Sequence, residues 1–365
     1  MTPLPFSGRL FTTVRQHTIV QQLSVLLLCL FLSVLSACDR KEPVHHSRFL
    51  GFGTIIEITI YGTDHERAQQ AIDDIENDIA IMHRTWHPRE KNALRRMNNL
   101  FQTTEWFSAA PSVRPLILKS IKLSQTSQHL FNPAIGKLIE LWGFSQDERP
   151  VNEPPSEQNI SALVRKQPRM SDIKLKGITM RSTNPDLKLD FGAIAKGYAI
   201  DKNIEHLRKL NINNAIINAG GDLRAIGKHG ERPWVIGIRD PRNEGVFASL
   251  KIQEDESVFT SGDYERYFEY QGKRYHHIID PRTGSPAEET LSVTVIHSDA
   301  ATADAASTAL FIAGKDYWHE IAKNMGIKYV MLIDSEGTVH INPAMRARIH
   351  FESEKPPTIN LSEPL

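Results

Sequence analysis

The chain has 365 residues, with 43 Lys and Arg balanced by 43 Asp and Glu, and 40% of its residues are hydrophobic. No basic stripe interleaved with aromatics stands out, which excludes a nucleic-acid partner, and no solenoid-length repeat or low-complexity tract interrupts the body. Only Cys29 and Cys38 occur, so neither a disulfide framework nor a cysteine-based metal site is expected.

At the N-terminus, Arg9 and Arg15 precede an apolar run from Leu23 to Leu35 and then Leu35-Ser36-Ala37-Cys38. A basic start, an apolar stretch too short to span as a mature helix, and small residues before a cleavage point read as a secretory signal over residues 1–37. Cys38 is either incidental to an ordinary signal or, as Leu-Ser-Ala-Cys resembles a bacterial lipobox, the lipid-bearing N-terminus of the mature protein. Asp39 resembles the signal that retains such proteins at the inner membrane. The expectation is an inner-membrane lipoprotein facing the periplasm, with residues 38–48 as linker.

Phe52 to Tyr61 is β-branched and reads as a strand; Gly51-Phe52-Gly53 opens that strand and is therefore not a dinucleotide fingerprint. A helix follows from about His65, with Ala68, Ile72, Ile75, Ile79 and Met82 on one stripe, and a second spans about Ser112 to Gln128. Residues 146–158, rich in Pro, Glu and Asn, read as an exposed excursion. Strands are then expected over 177–181, 187–191, 215–218, 223–226, 234–238, 248–252, 258–261, 265–270 and 291–297. Helices from Asp304 and near 316–325 precede closing strands at 329–333 and 339–341, and residues 346–365 read as a disordered tail. Many strands with few helices between them predict an α+β fold of mixed, largely antiparallel sheets with flanking helices.

Two segments carry the chemistry. Asp190-Phe-Gly192-Ala193-Ile-Ala-Lys196 reads as strand, small-residue turn and helix, where backbone approaches a ligand closely and a helix N-terminus favours an anion such as phosphate. Asp304 and Thr308, four apart on a helix, offer a carboxylate and a hydroxyl to one point, a pairing of hard oxygens that suits Mg²⁺. Taken singly, Lys196 could be a solvated charge and Asp304 a first-turn acid placed for the helix dipole. His277, before the turn residues Asp280-Pro281 and Thr283-Gly284, falls on a strand either as a proton acceptor or as a structural histidine; His276 should face the other way. Asn218-Ala-Gly220-Gly221-Asp222 either offers amides to phosphate or forms a hairpin turn.

In order along the chain, Asp190-Phe-Gly-Ala-Ile-Ala-Lys-Gly, Asn218-Ala-Gly-Gly-Asp, Thr260-Ser-Gly-Asp-Tyr, His277-Ile-Ile-Asp-Pro-Arg-Thr-Gly and Ala303-Asp-Ala-Ala-Ser-Thr resemble the blocks of the ApbE family, the FAD:protein FMN transferases once called thiamine biosynthesis lipoproteins. The likeness runs from about Gly51 to Asn342, within a domain bounded at 49–345. The resemblance implies an ApbE or T-fold-like architecture and Mg²⁺-dependent transfer of FMN from FAD to a Thr or Ser hydroxyl of an exported acceptor, such as a membrane redox-complex subunit, with release of AMP. It implies His277 as base; Asp304, Thr308 and the Ala193 carbonyl as metal ligands; and Phe52, Trp86, Asn132, Asp190, Lys196, Asn218, Gly220, Gly221 and Ile278 beside FAD. Trp86 would stack on a planar ring or serve only as packing. Arg282 is a candidate contact for phosphate or acceptor. The family often carries Asp where Asn132 stands, which removes a charge there. Two alternatives use the same pocket: a Mg²⁺-dependent FAD pyrophosphatase giving FMN and AMP, and a non-catalytic periplasmic flavin-binding lipoprotein.

Overall fold

The structure, a computed structural model, describes Thr2 and residues 42–88, 90–145, 153–352 and 356–365. Pro43–Leu365 form one compact unit. The expectations for the signal over 1–37 and for lipid at Cys38 lie outside the described residues.

The chain opens on a hairpin of β1 (Val44–Gly51) and β2 (Thr54–Tyr61). Phe52 and Gly53 form its two-residue turn at φ 52° and 73°, the pair of left-handed conformations that suits the twist of the flanking strands. Phe52 is thus in a turn and not a strand. Residues 44–47, expected as linker, are already strand: His45, Ser47 and Phe49 point inward at every second position, and that alternation is masked by their polarity. After α1 (His65–Trp86), whose Ala68, Ile72, Ile75 and Ile79 are buried, come α2 (Ala93–Phe101), β3 (Phe107–Ser108), α3 (Arg114–Thr126), α4 (Gly136–Leu141) and α5 (Glu157–Val164). β4 (Ile173–Lys176) and β5 (Thr179–Ser182) join β3 in a small sheet.

The expected strand at 187–191 is extended but joins no sheet. Its groups are satisfied otherwise: Lys188 N donates to Ala134 O at 3.2 Å, Asp190 N to Pro133 O at 2.9 Å, and the Asn98 amide brackets Leu189 at 2.7 and 2.9 Å. Buried apolar Leu187 and Leu189 gave a strand signature, while a side-chain amide supplies the missing partner.

Beyond α6 (Ala195–Lys209), β6 (Ala215–Ala219) and β7 (Asp222–Ile226) form a hairpin, β8 (Val235–Arg239) and β9 (Val246–Lys251) form another, and β10 (Glu256–Gly262) returns to the main sheet. A two-stranded ribbon follows, β11 (Tyr267–Tyr270) with β12 (Lys273–His276). Then come β13 (Thr290–His297), α7 (Ala300–Met325), β14 (Tyr329–Asp334), β15 (Val339–Ile341), the single turn α8 (Pro343–Arg346), β16 (His350–Phe351) and β17 (Ile359–Leu361). Among the described residues the main sheet has nine strands in the order β1-β2-β6-β7-β10-β13-β14-β15-β17, antiparallel at every step except the last. α7 starts one turn earlier than Asp304 and breaks at Gly314 (φ 69°, ψ −178°), which separates the two helical stretches expected there. The C-terminal stretch is not unstructured throughout: β17 pairs with β15 and β16 with β9, pairings of two or three residues that composition does not reveal.

Ile56, Ile58, Ile217, Phe259, Val293 and Val295 face α1, α6 and α7 across one side of the sheet. On the other side Leu223, Val258, Ile296 and Met331 pack against Trp234, Ile236 and Leu250 of the β8–β9 hairpin. β13 is therefore buried on both faces, although its run Thr-Leu-Ser-Val-Thr-Val-Ile alternates hydroxyl with apolar side chains: Thr290, Ser292 and Thr294 are buried along with Leu291, Val293 and Val295. The helix layer fixes α6 and α7 side by side, and both bear candidate site residues.

Candidate active site

A cavity of about 730 Å³ opens where the Asp190–Ala193 bend, α6, the end of β10, the base of the β11–β12 ribbon and α7 meet. Eleven of the thirteen expected cavity residues line it: Phe52, Trp86, Asn132, Asp190, Ala193, Lys196, Gly220, His277, Ile278, Asp304 and Thr308.

The bend is made by Asp190, whose Oδ1 accepts from Gly192 N at 2.9 Å; burial raises this carboxyl above its usual value, with that bond opposing. The start of α6 does attract an anion, and the anion is the protein's own. Gly197 N donates to Asp304 Oδ2 at 2.9 Å. Burial pushes the Asp304 carboxyl up to about 7, Lys196 working against the shift and Asp222 adding to it. Lys196 is paired with the Asp222 carboxylate, whose Oδ1 accepts from Thr260 N at 2.9 Å. Burial works against the Lys196 charge, but Asp222 and then Asp304 more than offset it and hold the ammonium above its ordinary value. Thr308 faces the same side of α7, its Oγ1 3.3 Å from Ser261 Oγ, which also meets Ser307 Oγ at 2.8 Å.

His277 lies one residue beyond β12, at the ribbon's base, where its N–H donates to Arg266 O at 3.0 Å. Nδ1 is 3.3 Å from the same carbonyl, and since a carbonyl only accepts, Nδ1 carries the proton and Nε2 holds the free lone pair. Burial, then the positive charges of Arg266, His276 and Lys196, hold the ring down to about 3, so it is neutral across the working pH range. His276 faces away as expected: it is buried, with Nε2 donating to Ala287 O at 2.6 Å and its ring edge-on to Phe311.

Trp86 is both packing and wall. Its Nε1 donates to Ser112 O at 3.0 Å and only 6% of it is exposed, yet it stacks with Phe52 at 6.2 Å along the cavity rim. Asn132 spends both ends of its amide on backbone, donating to Pro168 O at 2.9 Å and accepting from Ala134 N at 3.2 Å, which braces the loop it sits in. Asn218 and Gly221 do not line the cavity. Asn218 Oδ1 accepts from Gly221 N at 2.8 Å, closing the β6–β7 turn, and Gly220 and Gly221 sit at φ 67° and 104°. A Cβ at Gly220 would come within 2.2 Å of Thr54 Oγ1, so the glycine is required there. Arg282 is likewise outside, forked onto Asp280 and donating to Ile312 O.

Sequence reasoning missed Asp222, Glu265 and Arg266 as cavity residues. Asp222 ends a block already singled out for its glycines; Glu265 and Arg266 carry no local signal and arrive through the ribbon. Among the described residues no group of three or more His, Cys, Asp or Glu gathers to hold a metal, so a cation here would rest on mixed oxygen donors. The donors present fit Mg²⁺ in kind: a buried carboxylate, a hydroxyl and a backbone carbonyl, all hard oxygens.

The family model for the ApbE family matches residues 52–331. A relative from Rhodobacter capsulatus named FAD:protein FMN transferase is 38% identical over 301 residues, covering 82% of this chain and 57% of that protein; the chain thus spans a little over half of that relative's length. A Haemophilus influenzae protein of the same name is 29% identical over 319 residues, covering 83% and 90%. The crystal structure of the ApbE protein of Thermotoga maritima aligns with a TM-score of 0.76 at 31% identity, over 86% of this chain and all of that one. With the family model matching a stretch that holds α6, α7 and every residue lining the cavity, the chain belongs to the ApbE family.

Proposed function

We propose that this chain is a FAD:protein FMN transferase whose reaction takes place in the cavity between the Asp190–Ala193 bend and α7. The supporting observation is that one cavity collects His277, Lys196, Asp304 and Thr308 from separate segments, beside the aromatic rim of Phe52 and Trp86. The acceptor's Thr or Ser hydroxyl oxygen bonds to the FMN phosphorus of FAD. The bond from that phosphorus to the bridging oxygen breaks, AMP leaves with the oxygen, and FMN remains on the acceptor as a phosphodiester. The hydroxyl proton goes to Nε2 of His277, the ring position left unprotonated by the Arg266 carbonyl. A ring held down to about 3 is a weak base alone, but the diphosphate's negative charge beside it counters Arg266 and Lys196 and raises its hold on a proton.

Asp304, Thr308 and the Ala193 carbonyl would hold Mg²⁺, which neutralises charge on the diphosphate when bound. Lys196, kept charged by Asp222, adds a fixed positive group. Transfer of this kind rests on positioning and electrostatics and needs no covalent enzyme intermediate. Phe52, at the cavity rim and backed by the stacked ring of Trp86, offers a flat face to an aromatic ring of FAD. A lipid at Cys38 would tether the enzyme to the periplasmic face of the inner membrane, where exported acceptors reside; extraction by detergent and not by salt is the expected behaviour, and recovery in a salt wash would refute the anchor.

Incubation of the chain with FAD, Mg²⁺ and an exported acceptor bearing a Ser/Thr-Gly-Ala-Ser/Thr-type motif should raise the acceptor's intact mass by one FMN group. An unchanged acceptor under conditions where FAD binds would defeat the proposal. AMP appearing at the same rate without acceptor would assign the site to FAD hydrolysis instead.

A further inference from the structure

The helix that carries Asp304 and Thr308 is tied down by a buried ionic group that does not line the cavity. The four N–H groups at the start of α7 that lack intrahelical partners are all accounted for. Asp299 N donates to His297 Nδ1 at 2.9 Å and Thr302 N to Asp299 Oδ1 at 2.7 Å, both local contacts. The other two cross to α6: Ala300 N reaches Asp201 Oδ1 at 2.8 Å and Ala301 N reaches Asp201 Oδ2 at 3.0 Å. Both oxygens of Asp201 are thereby aimed at one helix end, which leaves no N–H there for an anionic ligand.

Asp201 is itself held. Arg224 Nη1 donates to its Oδ1, while Arg224 Nε and Nη2 each meet Asp255 at 2.9 Å. Asp201 and Arg224 are only 7% and 8% exposed, so the group is sheltered from screening by water and salt. One turn before Asp201 on the same face of α6 stands Gly197, whose N–H holds Asp304. Residues 197 and 201 thus grip residues 304 and 300–301 of the neighbouring helix as two successive rungs. Losing the lower rung would leave two buried N–H groups without acceptors and free the first turn of α7 to shift or fray.

We propose that Asp201, fixed by Arg224, is a positioning residue that locks the first turn of α7 against α6 and thereby sets Asp304 and Thr308 for cation binding. The inference rests on the proposed metal role of those two residues. Groups that orient a metal ligand from behind typically change metal affinity by about tenfold to a hundredfold when removed.

The test compares the full chain with Asp201→Asn, Asp201→Ala and the remote Asp334→Asn. Asp334 accepts from His340 and the 335–338 turn, and it serves as a control for stability loss alone. Mn²⁺ is titrated into each protein with FAD bound and no acceptor, and free Mn²⁺ is read by electron paramagnetic resonance; FAD affinity is measured separately without metal. Asp201→Ala should weaken Mn²⁺ binding about tenfold or more, Asp201→Asn less because one oxygen remains, and FAD binding without metal should not change. Asp334→Asn should lose stability and keep its Mn²⁺ affinity. Folded Asp201 variants that bind Mn²⁺ like the parent would overturn the proposal, as would a parallel fall in metal and FAD affinity matched by Asp334→Asn. Failure of the parent chain itself to bind Mn²⁺, or binding untouched by Asp304→Ala, would instead remove the metal reading on which the proposal stands.

Discussion

Gly197→Ala probes the contact between the two site-bearing helices. A Cβ built at residue 197 falls 2.3 Å from Ala300 O, 2.6 Å from Ala300 C and 2.8 Å from Ala301 Cα. All three are backbone atoms in a helix whose first turn is buried, so no side-chain rotation relieves the overlap. Restoring ordinary contact requires the helices to part by about 1 Å, a displacement that also stretches the 2.9 Å bond from Gly197 N to Asp304 Oδ2. Overpacking of this kind costs about 1–3 kcal/mol, and the upper end applies because backbone must move. Denaturant unfolding should show a loss of about 3 kcal/mol, with the proposed metal-dependent transfer falling further than stability alone explains because Asp304 moves with α7. A Gly197→Ala chain with parental unfolding midpoint and parental metal requirement would refute the close crossing.

Replacing His277 with Gln should lower the transfer rate constant by about 10²–10⁴ while FAD binding stays intact; equal loss of both would make the residue a binding group and not the base. His277 also sets a pH dependence of folding. Its native value of about 3 lies below the ordinary 6.5, so between those limits the unfolded chain binds the extra proton, and stability falls as pH drops through that window. Unfolding curves of the parent and His277→Gln should therefore diverge below pH 6.5, the parent losing more, and parallel curves would contradict the depressed value. Phe259→Ala, at a fully buried position in the central strand β10, should cost about 3–5 kcal/mol in denaturant unfolding; a loss below 1 kcal/mol would mean the core there collapses around the gap.

The α+β class and most strands were legible because the chain's β-branched runs match a covered face of a sheet, as in β2, β6 and β13, whereas the alternating Thr-Leu-Ser-Val-Thr-Val of β13 hides that both its faces are covered. β1 was hidden by His45, His46, Ser47 and Arg48, whose alternation shows only against its partner. Leu187–Asp190 looked like a strand because it is buried and apolar, but its partners are the Pro133–Gly136 backbone and Asn98, a pairing that no local pattern announces. Site residues were legible where small residues mark a bend or turn, as at Gly192, Ala193 and Gly220, and where two functional groups share a helix face, as at Asp304 and Thr308; Gly197 carried no such signal. What sequence could not supply was electrostatic pairing across the fold. Lys196 reads as a free phosphate contact until Asp222 is placed beside it, and the N-terminus of α6 reads as vacant until Asp304 reaches it from 107 residues away.

In crystals of the full chain grown with FAD and Mn²⁺, manganese can be located by its anomalous signal. One peak is expected about 2 Å from the Asp304 carboxylate, Thr308 Oγ1 and the Ala193 carbonyl, with the FAD diphosphate in the same cavity and His277 Nε2 facing the FMN phosphorus. A manganese peak elsewhere, or a diphosphate lying outside the cavity between α6 and α7, would contradict the proposed site.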